Sequence, residues 1–224
     1  MNNNKTVFFA IGLLLLILGV FMLIPLIVQI VYSEETSTFL SSSSLTIFIG
    51  VLLLLTNLEE SRKLNLQQAF LLTTLSWISI AIFGSLPFIL SNLNLSMIDA
   101  FFESMSGITT TGSTIIINLE SAPKSILIWR AIMQWLGGIG VIVMAITILP
   151  LLSVGGMQLF KKDTTSDTTE KILPRTREVT LIISIIYLIL TFVCGFAYWL
   201  AGMSIFDSIA HSMTTIATGG FSTY

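Results

Sequence analysis

Two short stretches, Met-Ser-Gly-Ile-Thr-Thr-Thr-Gly-Ser-Thr at 105–114 and Met-Thr-Thr-Ile-Ala-Thr-Gly-Gly-Phe-Ser-Thr at 213–223, superimpose without a gap. Asp99 pairs with Asp207, Ser104 with Ser212, Ile108 with Ile216, Thr110 with Thr218 and Gly112 with Gly220, each partner 108 residues further on. Similarity at one fixed offset marks an internal repeat. Both stretches are uncharged, rich in hydroxyls and punctuated by glycine, and the first lies between two long apolar segments. A bilayer admits non-helical backbone at depth only where it is buried in protein or lines a water-filled cavity. Loops of this composition therefore imply a lined path. Threonine and backbone carbonyl oxygens are hard, neutral donors that can replace the hydration shell of a monovalent cation, and Gly112 can take the positive φ that turns successive carbonyls toward one axis.

The rest of the chain agrees with a membrane setting. Of 224 residues, 54% are hydrophobic and 10% charged, and the mean hydropathy of +0.94 lies far above that of a soluble domain. The expected fold class is an all-α polytopic membrane protein. A net charge of −2 supplies no basic face for nucleic acid. Cys194 and His211 are each the single residue of their type, which excludes an internal disulfide and a His/Cys metal cluster. The ionisable residues within the apolar runs supply no nucleophile and base pair, so neither an enzyme nor a bound cofactor is expected.

Apolar runs at 7–31, 39–58, 66–90, 126–152 and 179–201 each reach the roughly 20 residues needed to cross a bilayer. The run 7–31, interrupted only by Gly12, Gly19, Pro25 and Gln29, reads as one helix, while Gly84 and Pro87 should disturb theirs. The serine run 41–44 offers hydroxyls that bond within the helix or toward a neighbour, or else simply starts the helix. The segments beginning near Asp99 and at Ser204 span about a dozen residues, too short to cross, and are expected to enter and turn back as pore helices. Asp99 and Asp207 have two compatible readings: caps of those helices, and carboxylates at an outer pore mouth. Arg130 lies inside an apolar helix and is expected to snorkel or to pair with Glu103 or Glu120. His211 replaces Glu103 in the second copy and reads as a hydrogen-bonded helix residue or as a sensor. The glycines of Gly137-Gly-Ile-Gly140 provide close helix packing or a yielding point, and Gly137→Ala is expected to disturb ion preference less than a change at Gly112.

The resulting organisation is a two-helix region at 1–64, a first helix, pore loop and helix unit at 65–160, a linker at 161–178, and a second unit at 179–224. The linker's stretch 164–169 is expected to be a mobile loop that offers a docking surface to a cytosolic regulator. Lys5, Arg62, Lys63 and the linker's Lys161, Lys162, Lys171, Arg175 and Arg177 fall on one side of the membrane, against Lys124 and Arg130 on the other. By the positive-inside rule the amino terminus and linker are cytoplasmic, and the pore loops enter from outside.

The runs Phe101-Phe-Glu-Ser-Met-Ser-Gly-Ile-Thr-Thr-Thr-Gly-Ser, Gln134-Trp-Leu-Gly-Gly-Ile-Gly and Thr218-Gly-Gly-Phe-Ser resemble the membrane subunits of Trk-type potassium transporters, within the superfamily that includes the Ktr and plant high-affinity potassium transporters. The resemblance covers nearly the whole chain. It implies two initial helices, four helix, pore loop, helix units around one pseudo-four-fold pore, and a homodimer of such pores. It also implies a cytoplasmic nucleotide-binding regulatory ring and a place in the bacterial inner membrane. By position, Gly112 and Gly220 would be filter glycines, with Thr110, Thr111, Ala217, Thr218 and Gly219 supplying neighbouring carbonyls to K+, the transported ion and the one metal expected. Glycine rather than serine in the first loop implies potassium preference. Four such units would need about 490 residues, so two of four filter loops are expected here. A non-conducting truncated or assembly subunit is the alternative.

The topology has a direct check. A cysteine placed at Ser166 should resist membrane-impermeant thiol reagents in intact cells and react after permeabilisation; labelling in intact cells would invert the orientation.

Overall fold

The computed structural model describes residues 4–58, 65–148 and 168–224. All regular elements among them are helical, and five segments are long and apolar enough to cross a membrane: Lys5–Val31, Ser37–Thr56, Leu66–Leu90, Lys124–Ile142 and Glu178–Leu200. The charged turn at 59–63 and linker residues 161–167 lie outside the described residues.

The first span is α1 (Lys5–Phe21) and α2 (Leu23–Val31). It breaks at Met22 because Pro25 has no N–H and its ring presses on the carbonyl of Phe21, four residues earlier. Pro87 acts in the same way on Phe83, dividing α4 (Leu66–Gly84) from α5 (Leu86–Leu90). Between the two interrupted spans lies α3 (Ser37–Thr56), which packs against α1 through small residues. A side chain at Gly12 would press on the Gly50 carbonyl, and one at Gly50 on the Leu16 amide, so the two backbones approach as closely as membrane helices with glycine contacts do. The serine run sits in the second turn of α3 and is not its start. Ser43 Oγ donates to the Gly19 carbonyl of α1 at 2.9 Å, while Ser42 and Thr46 bond back to the carbonyls of Thr38 and Ser42.

Helix α6 (Met97–Ile108) and helix α9 (Ile205–Ile216) have 12 residues each and start alike. Ser96 and Ser204 stand at their N-caps and accept the amides of Asp99 and Asp207 at 3.2 and 3.1 Å. Their hydroxyls donate to the same aspartates' carboxylates at 2.7 and 2.6 Å. The serines are thus the caps, and both aspartates support them from the first turn, with a negative side chain at the positive end of the helix.

Helix α7 (Lys124–Ile148) runs through the centre, with Trp129, Ile132 and Met133 fully buried. The break at Pro87 leaves the Gly84 carbonyl without its usual helical donor, since the Phe88 amide turns to Ser85 instead. Trp129 Nε1 fills that gap at 3.0 Å. In a bilayer core no water would do so. Helix α8 (Thr168–Leu200) begins inside the stretch expected to be linker, so Lys171, Arg175 and Arg177 are helical. Loss of apolar character marks where a span leaves the bilayer, and a helix can continue past that point.

The start of α7 depends on a residue 90 positions away. Pro123 precedes it and has no side-chain acceptor, so the first amides of the helix need another partner. The Glu34 carboxylate, in the turn between α2 and α3, accepts the Lys124 amide at 2.6 Å and the Ser125 amide at 3.2 Å, together with the Ser125 hydroxyl. Glu34→Ala should lower the melting temperature of the detergent-solubilised protein through loss of about 1–2 kcal/mol of capping. Glu35→Ala, which removes a contact to Ser37 alone among the recorded bonds, should leave the melting curve nearly unchanged.

Candidate functional site

The two pore loops have the same backbone. At the end of α6, the Thr110 amide donates to the Gly107 carbonyl and the Thr111 amide to the Ser106 carbonyl, both at 3.0 Å. At the end of α9, Thr218 donates to Thr215 at 2.9 Å and Gly219 to Thr214 at 2.8 Å. Each pair forms the Schellman closure of a helix, which needs a left-handed residue after the cap. Here that residue is threonine: φ is 57° at Thr110 and 55° at Thr218. A β-branched residue in this region is strained and persists only where its surroundings hold it. Two residues later the chain again takes positive φ, 79° at Gly112 and 78° at Gly220. The positive φ expected at Gly112 is present; the left-handed threonines gave no sequence signal, because their residue type argues against that conformation.

The loops also touch. A Cβ on Gly112 would overlap the Gly219 carbonyl oxygen, so glycine is required there by φ and by contact with the other loop. A Cβ on Gly220 would meet nothing within 4 Å, so glycine is favoured there by its positive φ and not by crowding. Thr111, Thr218 and Gly220 are exposed, Thr110 and Gly112 partly so, while Ala217 and Gly219 are buried. The Gly219 carbonyl, expected among the ion ligands, is turned toward α7, where Gln134 Nε2 donates to it at 2.9 Å.

Behind the loops lies a buried ion pair. Arg130 Nε donates to Glu103 Oε1 at 2.7 Å, with the two side chains 1% and 0% exposed. Of the alternatives the sequence left open, Arg130 takes Glu103, and neither snorkels nor reaches Glu120. The carboxylate also accepts the Thr114 hydroxyl at 2.9 Å and the Ile115 amide at 3.1 Å, which anchors the chain just after the first loop. The guanidinium reaches the second loop as well: Nη1 donates to the Ser222 carbonyl at 2.9 Å, and Cζ lies 4.1 Å from the centre of the Phe221 ring.

In the second unit His211 stands where Glu103 does, and its Nε2 is 3.2 Å from the hydroxyl of Ser222, the counterpart of Thr114. Asp207 adds a tie that Asp99 lacks, accepting the Thr223 hydroxyl at 2.7 Å. Partial burial works to raise the Asp207 pKa, but hydrogen bonds from Ser204 and Thr223 and the charges of Lys124 and His211 outweigh it and hold the carboxyl below its ordinary value.

The glycines of α7 divide by role. A Cβ on Gly137 would overlap the carbonyl of Ile108, the last residue of α6, and one on Gly138 would press on Ala217 and the Tyr187 hydroxyl. Packing is their function. The atom that a Gly137 side chain would displace adjoins the first loop. Gly140 has nothing within 4 Å.

No group of three His, Cys, Asp or Glu side chains suited to a metal occurs among the described residues. Residues 35–224 match the family model described as TrkH, cation transport protein. The chain is 42% identical over 217 residues to the Trk system potassium uptake protein TrkH of Vibrio parahaemolyticus, a match covering 96% of this chain and 45% of that protein. It is 46% identical over 211 residues to the Trk system potassium uptake protein TrkI of Halomonas elongata, covering 94% of this chain and 43% of the relative. The crystal structure of the potassium transporter TrkH from Vibrio parahaemolyticus superimposes with a TM-score of 0.87 at 40% identity, covering 99% of this chain and 45% of that one. The chain thus spans under half the length of these relatives, and it belongs to the TrkH family of cation transport proteins.

Proposed function

We propose that this chain forms two of the four filter segments of a pore that conducts K+ across the bacterial inner membrane, as part of a Trk-type uptake system. The observation that carries the reading is the pair of loops with one backbone, each at the C-terminal end of a 12-residue re-entrant helix and packed against each other at Gly112 and Gly219. The C-terminal ends of α6 and α9 carry the negative end of the helix dipole toward the loops, which favours a cation. Carbonyls of Thr110, Thr111, Gly112, Ala217, Thr218 and Gly220 are the ion ligands in this reading, that of Gly219 being engaged by Gln134, and two further units would complete the ring. A large monovalent cation with a weakly held hydration shell suits neutral carbonyls of this kind. The names of the relatives, as potassium uptake proteins of a Trk system, support the choice of ion. The cytoplasmic amino terminus, the homodimer and the nucleotide-binding regulatory ring docked near residues 164–169 belong to the same proposal.

The test uses a chimera in which residues 1–224 replace the matching segment of the Vibrio parahaemolyticus protein, expressed in cells lacking their own potassium uptake. Gly112→Ser should lower the rubidium-to-sodium uptake ratio by about tenfold at matched abundance, since it imposes both left-handed strain and overlap with Gly219. Gly140→Ala, with open space around it, should preserve the ratio. An unmodified chimera that inserts in the membrane but takes up no rubidium would instead favour the non-conducting assembly reading.

A further inference from the structure

Gln134 sits on α7, which closes the first unit, yet its side chain serves the second loop. It is fully buried. Nε2 donates to the Gly219 carbonyl at 2.9 Å, and Oε1 accepts the Phe221 amide at 3.1 Å. One carboxamide thereby brackets Gly220 from both sides. Only one orientation of the amide satisfies both bonds, since the donor must face the carbonyl and the acceptor the amide. The fit is close in every direction: a Cβ on Gly219 would overlap the Gln134 carboxamide. The same Gly219 oxygen is the atom that Gly112 packs against. One turn earlier on α7, Arg130 holds the Ser222 carbonyl.

We infer that Gln134 is a positioning residue for ion selectivity, which fixes the second filter loop from the first unit and, through the Gly219 carbonyl, sets the seat of Gly112. The inference rests on the filter reading above. The space on the Cβ side of Gly220 is open, so no side chain can seat it there, and its carbonyl is held in register by the bonds that clamp the residues on either side. Without the clamp the second loop keeps its Schellman closure but loses the two bonds that set the spacing between Gly219 and Phe221. The ring of ligands then relaxes toward geometries that admit smaller ions as readily as large ones.

The experiment compares Gln134→Glu, Gln134→Met and Trp135→Phe in the same chimera, at matched membrane abundance and with melting curves recorded in detergent. The isosteric glutamate keeps an acceptor for the Phe221 amide but, as a carboxylate, cannot donate to the Gly219 carbonyl; methionine removes both bonds at similar length. Both variants should lower the rubidium-to-sodium uptake ratio by roughly fivefold, the scale of one or two lost hydrogen bonds. Their maximal sodium uptake should be retained, a split that loss of folded protein would not give. Trp135 Nε1 bonds Thr191 of α8 and not a loop residue, and Trp135→Phe should leave the ratio in place. An unchanged ratio in both Gln134 variants, or an equal fall in Trp135→Phe, overturns the assignment. Absence of rubidium uptake in the unmodified chimera overturns the filter reading itself and this inference with it.

Discussion

The bond between Arg130 and Glu103 organises the region because a bilayer gives irregular backbone no water to bond. Two charges without solvent are costly apart, and removing either one leaves the other uncompensated, by about 3–5 kcal/mol in known buried pairs. What the pair contributes is therefore position more than stability. Glu103 belongs to α6 and holds Thr114 and Ile115, while Arg130 belongs to α7 and holds Ser222 and Phe221. Four segments of the chain, from both units, meet at one ion pair. The strained threonines persist beside it because the loop ends cannot move independently.

The two units share a backbone but differ in how it is supported. In the first, a carboxylate and a guanidinium hold the descending chain; in the second, an imidazole takes the place of the carboxylate, and Asp207 ties Thr223 in addition to capping its helix. Matching φ values, 57° with 55° and 79° with 78°, show that the loop conformation is independent of which side chains enforce it. A pore built from sequence repeats can in this way keep equivalent ligands while each unit meets a different neighbour.

Much of this was legible in the sequence. Five spans, the helix break at Pro87, the short helices α6 and α9 and the positive φ at Gly112 follow from local properties: apolar length, the missing proline N–H, segments too short to cross, and glycine's tolerance; the break before Pro25 was not read from the sequence although the same proline chemistry causes it. The members of the long-range clamp were harder to assign. Gln134 reaches residues 85 and 87 positions away and Glu34 reaches 90, and nothing in the neighbouring residues of either one indicates a partner. Arg130 was the intermediate case: the cost of a charge in an apolar helix left snorkelling or a pair with a carboxylate such as Glu103 or Glu120, and only packing could choose among them. The extension of α8 upstream to Thr168 was missed because hydropathy reports the bilayer boundary and not the helix boundary.

The placement of threonine and glycine within each loop follows a division of labour. Glycine at the left-handed position closing α6 or α9 would remove the strain, since it has no Cβ to crowd the carbonyl. It would also let that position visit the rest of φ/ψ space, which weakens the definition of the loop. Threonine at Thr110 and Thr218 has few accessible conformations, so once hydrogen bonds and neighbours force it left-handed, little freedom is left to it. Glycine is kept for Gly112, where the Gly219 oxygen leaves no space for a side chain, and for Gly220, which is bracketed by the Gln134 bonds. Strain at one position and external clamping at the next together fix the backbone of the loop, which is what the proposed filter reading requires of it.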